Sequence, residues 1–209
     1  MAATKTAGQG AGTRLPQVKR RDFLRGGLIM GTLGSLGAFS AAALAQLWPS
    51  LGEGFGAVLN MSQQLSLAPD GVFDAIQSKK EPIAFPAGRL YLVTWNPSAP
   101  GAMDAYGEDH TQLDNNRGIM ALYHRCVHLG CRVPWCQTSQ WFECPCHGSK
   151  YNKWGEWVDG PAPRGLDRFP SVINDAGDLE VNTGLILTGP ARTANVLAQE
   201  PEGPHCIDI

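Results

Sequence analysis

Two short stretches of this chain concentrate the residue types that can do chemistry: Cys126-Val127-His128-Leu129-Gly130-Cys131 and Cys144-Pro145-Cys146-His147-Gly148-Ser149. Fifteen residues lie between His128 and Cys144. Thiolate and imidazole are ligands for soft and borderline metals, so a metal centre is the first chemistry to consider. A structural zinc ion would accept a Cys2His2 set, but zinc sites usually pair Cys with Cys and His with His at short loop spacings. Here each stretch offers one Cys and one His, with a second Cys left over in each. A spare Cys in each of two loops could close a disulfide, which is plausible outside the cytoplasm and unusual within it.

The elements that must hold these loops read as β. Residues 89–95 and 119–123 are enriched in β-branched and aromatic side chains, and shorter runs recur at 141–143, 157–158, 172–173, 179–181 and 185–187. Turn signals separate them, among them Asn96-Pro97 and Gly160-Pro161-Ala162-Pro163. No long stretch here has a helical period, so the expectation is an all-β, antiparallel domain over 68–190, with the chemistry in about 124–163. Residues 97–117 read as a polar insertion in which His110 is solvated. His124 reads as a strand residue with a minor chance of a role in proton traffic. After Pro190, residues 191–209 lose pattern and are expected to run over the surface.

Charge is divided unevenly. Residues 1–25 carry six basic groups against Asp22, a net of +5, whereas the rest carries 11 basic and 18 acidic groups, a net of −7. A domain that acidic is a poor partner for a nucleic-acid backbone. No charged residue occurs between Arg25 and Glu53, and 26–48 is long enough to span a hydrocarbon core. The basic flank before it places residues 1–25 in the cytoplasm and the domain on the outer side. Arg20-Arg21-Asp22-Phe23-Leu24-Arg25 resembles a twin-arginine export signal, which serves proteins that fold before export. Ala43-Leu44-Ala45 would suit signal cleavage, but the apolar run is longer than a signal core, so an uncleaved anchor is the reading preferred. Residues 49–67, rich in Gly, Ser and Gln, read as a hinge.

With the HLGC and CPCHGS strings included, the two loops resemble the cluster-binding loops of Rieske iron–sulfur proteins, in the disulfide-bearing form of cytochrome bc-type and b–f-type complexes. The similarity covers about residues 85–190, and the order of anchor, linker and domain is alike. The resemblance implies one 2Fe–2S cluster, with Cys126 and Cys144 on one iron and His128 and His147 on the other. It implies a Cys131–Cys146 disulfide, a proline loop around Pro161, a shielding Leu129, and hydroxyls of Ser149 and Tyr151 bonded to cluster sulfurs. Val127 departs from the Thr of many relatives. Two imidazoles in place of two thiolates leave the oxidised centre neutral rather than at −2, which places such potentials at roughly −150 to +300 mV.

The function implied by the resemblance is that of a subunit of a quinol:cytochrome c-type oxidoreductase in a bacterial cytoplasmic membrane, single-pass and part of a dimeric assembly. It would take an electron from quinol and, through His147 beside His128, a proton. The electron would pass to a c-type or f-type cytochrome, with cytochrome b as the other partner. The alternative is the small Rieske subunit of an exported molybdenum oxidase such as arsenite oxidase. A soluble ring-hydroxylating ferredoxin conflicts with the spare Cys pair and the export signal. Cys136 and Cys206 remain, either bridged to each other or free.

Overall fold

Residues 90–95 and 118–123 are buried along almost their whole length, a pattern produced when a sheet is covered on both faces. The computed structural model describes residues 19–47, 54–107, 109–193 and 196–207, in two units, Met1–Pro49 and Ser50–Ile209. Among the described residues, the first unit holds one helix, α1 (Arg20–Leu47). Its consecutive residues Leu28, Ile29 and Met30, with Leu33, Leu36 and Phe39, are all exposed. A helix apolar all round, long enough over Arg20–Leu44 to cross a membrane, suits a lipid span or a signal sequence.

The second unit runs β1 (Val58–Asn60), α2 (Met61–Leu65), α3 (Pro69–Lys79), β2 (Ile83–Phe85), β3 (Leu90–Trp95), α4 (Ala102–Tyr106), β4 (Thr111–Gln112) and β5 (Gly118–Tyr123). It continues with β6 (Trp135–Cys136), β7 (Trp141–Glu143), β8 (Lys150–Tyr151), β9 (Trp157–Asp159), β10 (Arg168–Phe169), β11 (Ser171–Ile173) and β12 (Leu179–Asn182). All strand pairings are antiparallel. The central sheet has the order β10-β5-β3-β2, with β4 also on β5. A smaller sheet, β6-β7-β8-β9, lies in sequence between the paired strands β5 and β10, and is therefore an inserted subdomain. A third sheet joins β1, β12 and β11.

The central sheet separates two cores. Tyr91, Val93, Trp95, Met120 and Leu122 face the inserted subdomain with Phe142, Tyr151 and Leu166. Leu90, Leu92, Ile119, Ala121 and Tyr123 face Leu59, Met61, Val72, Phe169 and Val181. Each such side chain contributes about 1.5–3 kcal/mol when fully buried. The two cysteine–histidine loops thus stand on a base anchored from both sides.

Three expectations need correction. The hinge read over 49–67 ends earlier: Leu59 and Met61 are buried in β1 and α2, so residues 54–67 belong to the domain, and 48–53 lie outside the described residues. The antiparallel β architecture is as expected, with helix α3 added to it; Pro69 opens the helix, and Val72 and Ile76, four apart, are buried. His110 is not solvated but 2% exposed, edge-on to Trp95 with its Nε2 3.3 Å from Arg168. Residues 196–207 run over the surface as expected, pinned by the buried Leu197 and by the Cys136–Cys206 bridge. Residues 185–187 form no strand; Leu187 makes an isolated bridge with Arg168.

Candidate metal centre

The two chemistry-bearing loops are built alike from the backbone upward. In the first, the Cys126 N–H donates to the Cys131 carbonyl at 2.7 Å and the Gly130 N–H donates back to the Cys126 carbonyl at 2.9 Å. In the second, the Cys144 N–H donates to the Ser149 carbonyl at 2.8 Å and the Gly148 N–H to the Cys144 carbonyl at 3.1 Å. Each loop therefore closes across six residues on a glycine with positive φ, 89° at Gly130 and 71° at Gly148. The first hangs from the end of β5 and the second joins β7 to β8. The Cys131–Cys146 disulfide ties one loop to the other, with Cα atoms 6.6 Å apart.

That closure sorts the side chains by depth. Cys126 and Cys144 are free thiols, 2% and 1% exposed. The Cys144 sulfur lies within 4.8 Å of both disulfide sulfurs yet takes no part in the bridge. Its pKa is raised, first by burial and further by the neighbouring Cys126 thiol, against hydrogen bonds from the N–H groups of Cys146 and His147. A buried thiol held neutral in this way needs a cation beside it to become a thiolate. The imidazoles of His128 and His147 meet edge to face with centroids 4.9 Å apart, His147 exposed and His128 half-buried. The buried Nδ1 of His128 has no hydrogen-bond partner. Two thiols, two imidazoles and an orphaned ring nitrogen fit a sulfur–nitrogen metal centre, with sulfur inside and nitrogen at the surface.

Supporting groups converge on the same loops. The Tyr151 hydroxyl, in β8 and fully buried, is 3.2 Å from the Cys126 sulfur. Burial, then the contact with Cys126, raise its pKa far above the usual phenol value, so it remains a donor. Ser149 Oγ accepts the Ala162 N–H at 3.1 Å and so holds the loop that contains the exposed Pro161. The Trp157 indole donates to the Gly160 carbonyl at 3.2 Å. Gly160 (φ 86°) rests directly on Ser149; a Cβ there would come within 2.6 Å of the Ser149 Cα. Leu129 stands 69% exposed beside His128. Val127 is partly buried against the core. His124 follows β5, and its pKa is lowered by burial and then by Arg132 and Arg89.

One element is missed from sequence. Glu143, immediately before Cys144, is fully buried and takes hydrogen bonds from Ser139 Oγ, His205 Nδ1 and the N–H groups of Cys206 and Ile207, all at 2.6–2.8 Å. The available signal is a carboxylate between Phe142 and Cys144, a position that the period of a half-buried strand leaves ambiguous.

Comparison with known proteins agrees with this geometry. A Rieske [2Fe-2S] domain is matched over residues 95–170. The chain is 32% identical over 171 residues to a cytochrome b6-f complex iron-sulfur subunit 2 of Synechocystis sp., covering 81% of this chain and 87% of that protein. To the cytochrome b6-f complex iron-sulfur subunit of Microcystis aeruginosa it is 33% identical, covering 80% and 86%. The chloroplastic subunit of Arabidopsis thaliana is 52% identical over 52 residues, 25% of this chain and 23% of that protein. With its buried thiols, surface imidazoles and antiparallel fold, the chain belongs to the family of Rieske iron–sulfur proteins, whose domain binds a 2Fe–2S cluster.

Proposed function

We propose that this protein is the iron–sulfur subunit of a membrane quinol:cytochrome oxidoreductase of the b6-f or bc type. The observation that carries the reading is the depth order of the four donors: thiols of Cys126 and Cys144 sealed inside, imidazoles of His128 and His147 toward solvent. The long similarity to subunits named for cytochrome b6-f complexes supports it. A 2Fe–2S cluster, when bound, gains and loses one electron.

The chain's own residues do the rest. Cys126 and Cys144 would hold the cluster from within, His128 and His147 from the surface. The buried, unpartnered Nδ1 of His128 would be its ligating nitrogen, which would leave Nε2 to bind or release a proton. His147, the more exposed ring, would accept the hydrogen bond of a quinol hydroxyl and take its proton. Tyr151 donates to the Cys126 sulfur and stabilises added negative charge there. Ser149 Oγ accepts the Ala162 N–H and so fixes the 160–163 loop, and its own O–H would remain free to donate to the bound group. Leu129 and Pro161 flank the site and limit water. The remaining assignments are twin-arginine export, α1 as an anchor with the domain on the outer side, and cytochrome b with a c-type or f-type cytochrome as partners.

The test is a redox titration of the full chain between pH 5 and 10. Imidazole ligands with free outer nitrogens make the midpoint potential fall as pH rises through their ionisations. A potential independent of pH would defeat the assignment, and a colourless protein holding one zinc would defeat the whole reading. Co-purification with b-type and c-type haems, and an electron-spin signal that shifts with quinol-site inhibitors, would establish the complex. A molybdenum-containing partner would point to the exported oxidase instead.

A further inference from the structure

Arg125 and Arg132 stand opposite each other across an antiparallel bridge at the neck of the first loop. Like charges placed directly opposite in a β pair repel and destabilise it. Arg89 joins them: it precedes β3, and its carbonyl accepts the His124 N–H at 3.0 Å. All three arginines are exposed, and among the described residues none forms an ion pair with an acid. With Tyr123, His124 and Gly130 they wall a pocket of 260 Å³.

Two of the three guanidinium groups lie against other parts of the fold. The guanidinium carbon of Arg89 lies 4.7 Å from the Phe55 ring centroid. That of Arg125 lies over Gly130, where a Cβ would come within 2.8 Å of Nε. Arg125 also lines a neighbouring pocket that contains Asp167, but that carboxylate is already bound by Arg164 and the Gly189 N–H. Beyond residue 25 the chain has 11 basic against 18 acidic groups, so three clustered, unpaired arginines run against its overall charge. Guanidinium forks match the planar oxygens of phosphate, and their preorganisation lowers the entropy lost on binding.

We propose that the pocket between Arg89, Arg125 and Arg132 binds a phosphate-class oxyanion, either a free phosphate or the headgroup of an anionic lipid. Bound there, the anion removes the repulsion between Arg125 and Arg132 and places negative charge one residue from Cys126. It therefore makes reduction harder, and by reciprocity binds less tightly once an electron has been added.

The experiment uses the full chain carrying its cluster, in neutral detergent at low salt, with pyrophosphate as the probe. Calorimetry should show saturable binding that weakens at least tenfold in Arg125→Gln/Arg132→Gln and is unchanged in Arg117→Gln. The midpoint potential of the parent protein, and not of the double variant, should fall on adding pyrophosphate. Should the double variant not fold, Arg132→Gln or Arg89→Gln alone should each weaken binding severalfold. In phosphatidylcholine vesicles, adding phosphatidylglycerol should lower the apparent pyrophosphate affinity if lipid fills the pocket; an unchanged affinity makes free phosphate the ligand. Equal binding by parent and arginine variants, or an equal response to chloride at matched ionic strength, would overturn the proposal.

Discussion

Nδ1 of His205 lies 2.8 Å from Oε1 of Glu143, so a residue near the end of the described chain is bonded to the carboxylate that immediately precedes Cys144. A carboxylate only accepts, so His205 donates through Nδ1. With Ser139, Cys206 and Ile207 it completes four hydrogen bonds to a side chain that water does not reach.

The acid response of the domain should carry the mark of this group. Burial alone would raise the Glu143 pKa, but the hydrogen bonds from Ser139, His205, Ile207 and Cys206 outweigh it and hold the carboxyl below the ordinary range. A folded pKa below the unfolded one gives stability that is present above the unfolded value and lost as pH falls through the folded one. The loss therefore falls below about pH 4.3. Glu143→Gln should lower stability at pH 7 by about 2 kcal/mol, because the buried donors then face an amide. It should also flatten the pH dependence below that point, as denaturant titrations between pH 3 and 7 would show.

The two bridges should differ in what they protect. Cys131–Cys146 closes a separation of 15 residues and Cys136–Cys206 one of 70. Loop-closure entropy assigns about 3 and about 4 kcal/mol respectively, an ordering that depends on the model of the unfolded state. Cys136→Ser/Cys206→Ser should lower the thermal midpoint and leave the cluster's visible spectrum intact. Cys131→Ala/Cys146→Ala, which frees the two loops, should shorten cluster lifetime under air. Loss of the spectrum in the first variant would contradict the division.

Tyr151→Phe removes only the hydroxyl 3.2 Å from the Cys126 sulfur. One hydrogen bond that strengthens by about 1 kcal/mol on reduction corresponds to roughly 40 mV for a one-electron couple, so the potential should fall by about that amount. The fold should survive, since Phe keeps the buried ring. Protein-film voltammetry on both forms measures the difference, and an unchanged potential would show that the hydroxyl only fills space.

Gly160→Ala should be disproportionately harmful. The added methyl would meet the Ser149 Cα at 2.6 Å and the Gly148 carbonyl at 2.8 Å, and φ at this position is 86°. Neither neighbour is a flexible side chain, so the 160–163 loop must lift off Ser149. A cost of about 1–3 kcal/mol is expected, together with faster cluster loss on heating. Gly177→Ala, with open space around it but a similar φ of 84°, separates backbone strain from the collision.

Legibility in the sequence tracks the density of local signal. Cys126, His128, Cys144 and His147 sit in two strings of fixed spacing, and β3 and β5 are long apolar runs; all are legible because each is decided by neighbours in the chain. The bonds from Glu143 to residues 205–207 join positions more than 60 apart, and no local pattern encodes them. His110 reads as solvated because its surroundings in sequence are polar, whereas Trp95 and Arg168, which cover it, come from other strands. Helix α3 has only Val72 and Ile76 as an inner stripe, too short a period to compete with the β pattern around it. Residues 54–67 read as a hinge because Gly, Ser and Gln colour their composition, yet Leu59 and Met61 alone suffice to seat them.

The bond between Glu143 and residues 205–207 also sets an order of manufacture. Until residues 205–207 have been synthesised, a growing chain holds a carboxylate behind Cys144 with three of its four donors missing. Everything up to residue 207 is thereby needed before that carboxylate is fully partnered.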